Sequence, residues 1–274
     1  MSDRRELVRH AHDRGVAKTR ACWIFHVARS ALDYRSRRDA RDAALAAWMR
    51  RTARRHPDWG YRLAHGHAIN RGQAVNVKRF HRVWRQTGLQ QPVRTPRRKV
   101  VTGERLKPQA RWRNHVWCYD FVHDRDAAGR TIRCLTIKDE ATAYALAIEP
   151  APRFGAEEVR QVLERLFRRY GFPAYLRSDN GGEFIAHVLK AWLADRRVTT
   201  AYIDPGKPWQ NGSSESFNST FRRGCLNRHD FASLAEARGI IEHWRRTYNH
   251  VRPHSRLGYR PPASAYFLER HTVV

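Results

Sequence analysis

Apolar residues recur at helical spacing up to about residue 88 and, after an aperiodic stretch, at every second position from His115, so the chain reads as small helices followed by a sheet-bearing region. Arg4 to His12 predicts a short helix closed at Gly15, Lys18 to His26 a second, and Ser30 to Tyr34 a third, joined by tight turns in the manner of a helix-turn-helix. From Arg41 onward Ala44, Leu45, Trp48, Met49 and Thr52 share one face until Pro57, and a further helix follows Gly60 and Tyr61. The clearest unit is Asn76 to Gly88. Asn76 is a good N-cap, Val77, Phe80, Val83 and Trp84 form the apolar stripe, and Gly88 sits where a C-terminal cap belongs. Lys78, Arg79, Arg82 and Arg85 take the remaining face, which fits a groove or backbone binder and equally a solvated basic surface helix. Gln91 to Arg113 has no period and reads as a basic linker.

From His115 to Val122 the chain alternates, with Val116, Cys118 and Asp120 facing one way and Trp117, Tyr119 and Phe121 the other. Thr131 to Ile137 and Tyr144 to Glu149 continue as a meander. Glu157 to Tyr170 is a strong helix, acidic in its first turn, basic in its last and stopped by Gly171 and Pro173. Ala174 to Ser178 is a short strand ending at Asp179, where Asn180, Gly181 and Gly182 force a turn. Glu183 to Arg197 predicts a helix, Thr199 to Ile203 a fifth strand, and Ser213 to about Cys225 a helix on which Glu215, Asn218, Ser219 and Arg222 share a polar face. The order predicts an α/β fold, a mixed sheet flanked by helices.

Composition adds a partner. Lys and Arg total 53 against 26 Asp and Glu, a formal net charge of +27, and residues 1–110 carry 27 basic against 8 acidic side chains. A basic front on a more balanced back suggests a DNA-gripping module joined to one with another task. Of the 53 cations 46 are Arg, whose planar fork suits phosphate oxygens, although biased nucleotide composition also raises Arg content. A membrane span needs about 18–20 consecutive apolar residues, and the longest comparable stretch, Ala21 to Ala28, is broken by His26. With no apolar leader after Met1 and four singly placed cysteines, a soluble protein of a reducing, intracellular setting is expected. The pairs His10/His12 and His65/His67 invite a zinc reading, but residues two apart on a helix diverge and no CxxC accompanies them, so surface histidines are expected.

The chemistry centres on three acids. Asp120 lies within the first strand, Asp179 at the end of the fourth and Glu215 in the first turn of a helix. If the first and fourth strands are neighbours the two aspartates come side by side, and the helix can lay Glu215 across them. Three converging carboxylates repel unless cations sit between them, and such oxygen donors suit Mg²⁺ or Mn²⁺, two of which serve phosphoryl transfer. Glu183 is expected to favour a helix N-terminus rather than a metal, Asp124 and Asp126 to be turn residues, and Trp209 either to pack or to touch DNA.

WCYDF around Asp120, SDNGGEF around Asp179 and PGKPWQNGSSESFN leading past Glu215 resemble the integrase catalytic core of bacterial insertion-sequence transposases, relatives of retroviral integrases. Residues 56–89 are similar to the helix-turn-helix segment that precedes this core, and YNHVRPHSRLGYRPPASAY (248–266) to the family's usual ending. The resemblance implies a ribonuclease H-like mixed five-stranded sheet flanked by helices and preceded by small all-α helix-turn-helix domains. The implied boundaries are an N-terminal helical segment 1–40, a DNA-binding domain 41–91, a linker 92–113, a catalytic core 114–226 and a C-terminal helix and tail 227–274. It also implies that Asp120, Asp179 and Glu215 are catalytic and hold Mg²⁺ or Mn²⁺, with Arg222 holding the terminal DNA beside Lys78, Arg79, Arg82 and Arg85. The implied activity is metal-dependent cleavage and strand transfer at the ends of an insertion sequence, in a homo-oligomeric synaptic complex with target DNA. An upstream-frame helix-turn-helix protein is the implied fusion or partner, in the bacterial cytoplasm and nucleoid. A nuclease without strand transfer and a catalytically dead DNA-binding regulator are the rival readings.

Overall fold

The computed structural model describes residues 2–32, 37–92, 109–178, 187–202 and 212–268. They belong to two compact units, 1–48 and 49–274. In the first, α1 (Ser2–Asp13), α2 (Lys18–Ile24) and α3 (Arg29–Leu32) close over a small core of Val8, Ala21, Cys22 and Leu32. The next helix, α4 (Arg37–Arg55), runs across the boundary between the units.

The second unit opens with the end of α4, then α5 (Tyr61–Asn70) and α6 (Val77–Gln86), where Met49, Trp59, Ala64, Ala68, Phe80 and Trp84 are buried. Asn76 caps α6 as expected, its side chain accepting from the Lys78 amide at 2.8 Å, and Gly88 beyond the helix end takes a φ of +69°. The apolar stripe is narrower than expected: Val77 is 47% exposed, while Phe80, Val83 and Trp84 are buried. A helical side chain leans back over the preceding turn, and Val77, at the first helical position, has none to lean on.

Gly66 lets α5 approach the C-terminal turn, where Asn70 Nδ2 also donates to the Tyr259 carbonyl at 2.8 Å. A Cβ on Gly66 would lie 2.7 Å from Tyr259 Cβ. Alanine should gain up to about 1 kcal/mol of helix propensity yet cost about 1–3 kcal/mol in overpacking. Gly66→Ala is therefore expected to lower the denaturation midpoint, and a midpoint at or above wild type would refute the close approach.

Five strands, β1 (Val116–Arg125), β2 (Thr131–Asp139), β3 (Ala145–Ala151), β4 (Tyr175–Ser178) and β5 (Thr199–Tyr202), form one sheet in the order β3-β2-β1-β4-β5. The first three are antiparallel neighbours, and β4 pairs parallel to both β1 and β5. The first and fourth strands are thus adjacent.

Between the strands run α7 (Ala156–Tyr170) and α8 (His187–Asp195), and after β5 come α9 (Gly212–Gly224), α10 (Leu234–His250) and α11 (Pro262–Leu268). One sheet face buries Trp117, Tyr119, Leu135 and Ile137 against Val159, Leu163 and Phe167 of α7 and Leu189 and Leu193 of α8. The other buries Val122, Ile132 and Cys134 against Phe217 and Phe221 of α9 and Ile241 and Tyr248 of α10. Each such large side chain contributes about 1.5–3 kcal/mol.

Asp124 proves to be a strand residue opposite Ile132, because the β1–β2 ladder runs on to Arg125 and Thr131. Asp126 does form the turn, accepting from the amides of Ala128 and Arg130 at 3.0 and 2.9 Å.

Candidate active site

Asp120 is half-buried at the middle of β1, on the sheet face that α9 covers. Its Oδ2 accepts from Asn218 Nδ2 of α9 at 2.9 Å, and its Oδ1 from the Phe121 amide at 2.7 Å. Thr136, across the ladder from Asp120, sets its hydroxyl 3.0 Å from the Asp120 carbonyl and 3.1 Å from Asn218 Oδ1, donating to one at a time. The carboxylate is therefore held by a side chain that is itself held.

Three polar contacts fasten α9 to β1 and β2, besides buried Phe217 and Phe221. Lys138 of β2, opposite Cys118, donates through Nζ to the Ser213 carbonyl at 2.7 Å. Asn218 meets Asp120, and Arg222 Nη2 donates to the His123 carbonyl at 2.6 Å. Glu215 lies between the first two contacts, exposed, one turn before Asn218 and on the same helical face. The structure thus brings the helix face of Glu215 to the strand of Asp120.

Asp179 lies outside the described residues, as do Asn180, Gly181, Glu183 and Trp209. Its chain neighbour Ser178 ends β4, whose Arg177 pairs in register with Cys118, two residues before Asp120. Arg177 is buried and paired with Glu140 at 2.6 Å. Among the described residues no three or more His, Cys, Asp or Glu side chains converge to hold a metal.

On α6, Lys78, Arg79 and Arg85 are exposed and Arg82 half-buried. Lys78, Arg82 and Arg85 line a groove of about 490 Å³ with His81, Gln86 and Gln90. His10 and His12 are exposed, but His65 and His67 are half-buried and not the surface pair expected. His65 Nε2 sits 2.9 Å from the Val75 carbonyl, and His67 packs edge-on to Trp59 at 5.5 Å. With neighbours on two sides, both positions of α5 find cover.

Sequence reasoning missed several working side chains. Lys138 and Asp139 carry no motif, and the C-terminal segment takes its role from contacts with residues far away in the sequence. Asn249 clamps the β3 edge, accepting from the Ala145 amide and donating to its carbonyl, both at 2.8 Å. Arg252 pairs with Asp58 at 2.7 Å, tying the tail to the helical region before the sheet.

Burial and the nearby His67 push the His56 imidazole down to about 4. Burial, with Arg252, Lys138 and Arg256, pushes His254 down to about 3. Both values lie below the ordinary 6.5, so the unfolded chain takes up protons that the folded chain refuses. Their stabilisation is complete above pH 6.5 and is lost as pH falls toward 4 and 3, by at most about 1.4 kcal/mol per pH unit for each group. The melting temperature should drop between pH 7 and 5, and His254→Gln should flatten that slope. An unchanged slope in the variant would contradict the assignment.

Two family models described as integrase core domain match residues 110–208 and 196–262. The chain is 36% identical over 256 residues to the insertion element IS407 uncharacterized 31.7 kDa protein of Burkholderia multivorans, covering 93% of this chain and 92% of that one. It is 28% identical over 227 residues to the transposase InsD for insertion element IS2 of Escherichia coli, covering 75% and 72%. A simian T-cell lymphotropic virus intasome structure with PP2A regulatory subunit B56 gamma aligns with a TM-score of 0.52 at 15% identity, over 76% of this chain and 73% of that chain. The sheet order and flanking helices are accordingly those of a ribonuclease H-like, integrase-type core. With identity to an insertion-element protein spanning nearly the whole chain, and with an integrase core laid over a strand aspartate and a helix glutamate, the chain belongs to the insertion-sequence transposases that carry an integrase catalytic core.

Proposed function

We propose that the chain cuts DNA at the ends of an insertion sequence and joins those ends to target DNA, with Asp120, Asp179 and Glu215 as one catalytic centre. The observation that carries this reading is the Asn218–Asp120 bond, which fixes the Glu215 face of α9 against β1 beside the strand that leads to Asp179. Water attacks a phosphodiester in line at the element's end, freeing the element's 3′-hydroxyl and leaving a 5′-phosphate on the flanking strand; that 3′-hydroxyl then attacks a target phosphodiester, forming the new bond as it displaces a target 3′-hydroxyl. No covalent bond to the protein is formed.

The half-buried carboxylate of Asp120 and the exposed carboxylate of Glu215 are hard oxygen donors of the kind that Mg²⁺ or Mn²⁺ prefers. Asp120, Asp179 and Glu215 would hold the metal, in all two ions, which when bound stabilises charge on the attacking and leaving oxygens. Asn218 and Thr136 orient Asp120, and Arg222, Lys78, Arg79, Arg82 and Arg85 supply cations toward DNA phosphates. We assign segment 1–40 and domain 41–91 to DNA-end binding, 92–113 to a basic linker, 114–226 to the catalytic core and 227–274 to the tail. A synaptic homo-oligomer, an upstream-frame helix-turn-helix partner and a place on the bacterial nucleoid belong to the same reading. Among the described residues no helix is long and apolar enough to cross a membrane.

The test is an assay on labelled DNA carrying the element's own ends, with and without Mg²⁺, with and without the upstream partner. Joined products support the reading, cutting alone points to a nuclease, and binding without cutting points to a regulator. Asn218→Ala should lower activity about 10–100-fold and raise the Mg²⁺ concentration required, the scale for losing a group that orients a metal ligand. Equal Mg²⁺ titrations for variant and wild type would remove Asn218 from that role.

A further inference from the structure

We propose that a polar pocket beside the first turn of α9 is a phosphate subsite, gripping the DNA strand about one nucleotide from the reacting carboxylates. It rests on the function proposed above for the identification of that phosphate as DNA's. The pocket encloses about 480 Å³, and Lys138, Ser213, Arg252, His254 and Arg256 are among its lining.

Its charge is unbalanced. The Glu140 carboxylate is already engaged by Arg177 at 2.6 Å, and Arg252 is paired with Asp58 at 2.7 Å. Among the described residues, Lys138 feels the charges of Glu140 and Asp139 and Arg256 that of Asp139, but neither forms a direct ion pair with a carboxylate. Lys138 Nζ donates to the Ser213 carbonyl, and Arg256 Nη2 to the carbonyls of Glu140 and Ala141. Lys138 is only 6% exposed, and its ammonium has three protons to donate. Burial lowers the pKa of Lys138 and the nearby Glu140 and Asp139 offset this only in part, so an ammonium held there without a direct ion pair is unfavourable until an anion arrives.

A second observation points to the same ligand. His254 Nε2 is buried without a hydrogen-bond partner, in a field positive enough that Arg252, Lys138 and Arg256 add to burial in depressing its basicity. Gly212 and Ser213 bring the N-terminal end of the 13-residue α9 to the pocket wall, adding partial positive charge. A tetrahedral anion with several acceptor oxygens suits these donors together.

The position suits a DNA strand. Lys138 stands opposite Cys118, two residues before Asp120 on the same sheet face. That offset is about 6.7 Å along a strand, comparable with one nucleotide step of a DNA backbone.

The test follows the salt dependence of binding, by fluorescence anisotropy, of a labelled duplex ending in the element's terminal repeat. It uses the full chain in EDTA, so that catalysis does not enter. Arg256→Gln and Lys138→Met should each reduce the slope of log affinity against log salt by about 0.9, the loss of one phosphate contact. Arg256→Gln, at an exposed residue, keeps the test sound if Lys138→Met fails to fold. An unchanged slope in folded variants overturns the subsite, while wild-type DNA binding and joining leave the function standing. Line broadening of inorganic phosphate in ³¹P spectra that Arg256→Gln abolishes, with the slope unchanged, means a free-phosphate site and also overturns it. A wild-type chain that neither binds nor joins DNA ends removes both readings.

Discussion

Asp120→Asn is expected to abolish cutting and joining while leaving the fold and DNA binding intact. Asparagine keeps the size and one acceptor oxygen, so Asn218 Nδ2, 2.9 Å from Asp120 Oδ2 in the native chain, still finds a partner. It removes the negative charge that a divalent cation requires, and charge stabilisation at the reacting phosphate goes with it. Loss of one preorganised electrostatic contact costs on the order of 10³-fold, about 4 kcal/mol. That exceeds the 10–100-fold expected for Asn218→Ala, because Asn218 acts only through Asp120. Rate measurements in Mg²⁺ beside DNA binding in EDTA check the difference. A variant with more than about a tenth of wild-type rate would show that Asp120 is not part of the centre.

The largest effect on stability is expected at Asp139, far from any motif. This carboxylate is 0% exposed and accepts from the Asn114 amide at 2.7 Å, the Thr142 amide at 2.8 Å and the Thr142 hydroxyl at 2.6 Å. Burial raises its pKa, while those same hydrogen bonds pull it back down. Asp139→Ala strands these donors, at about 1–3 kcal/mol for each buried group left unmade. Part of that is offset because a charge no longer has to be buried, leaving about 3–5 kcal/mol. Thr142→Val removes one donor only and should cost about 1 kcal/mol. Urea unfolding of both variants gives the comparison, and near-equal midpoints would mean that the network does not bear on stability.

The arrangement around Asp120 was legible because it follows from periods and punctuation. Alternation from Val116 to Val122 put Asp120 on the face away from Trp117 and Tyr119, and those two side chains do pack on the opposite core. Gly171 and Pro173 marked the end of α7 and the short strand before Asp179, whereas the adjacency of β4 and β1 was only a condition in the sequence and is set by the sheet order. Helical spacing grouped Glu215, Asn218 and Arg222, and the last two reach β1 at Asp120 and His123. What escaped depends on distant partners. Asn249 and Ala145 lie 104 residues apart, and Arg252 and Asp58 lie 194 apart. Lys138 looks like an ordinary strand cation until α9 covers it, and a half-buried His67 depends on Trp59 coming alongside. Local pattern fixes which way a side chain faces, not what arrives on that face.

The central claim is that Asp120, Asp179 and Glu215 form one centre. Its most direct test measures joining of labelled element ends in Mg²⁺ for wild type, Asp120→Asn, Asp179→Asn and Glu215→Gln, with DNA binding of each recorded in EDTA. The account predicts joined product from wild type alone and binding retained by all four proteins. Near-wild-type joining by any one of the three variants would contradict it.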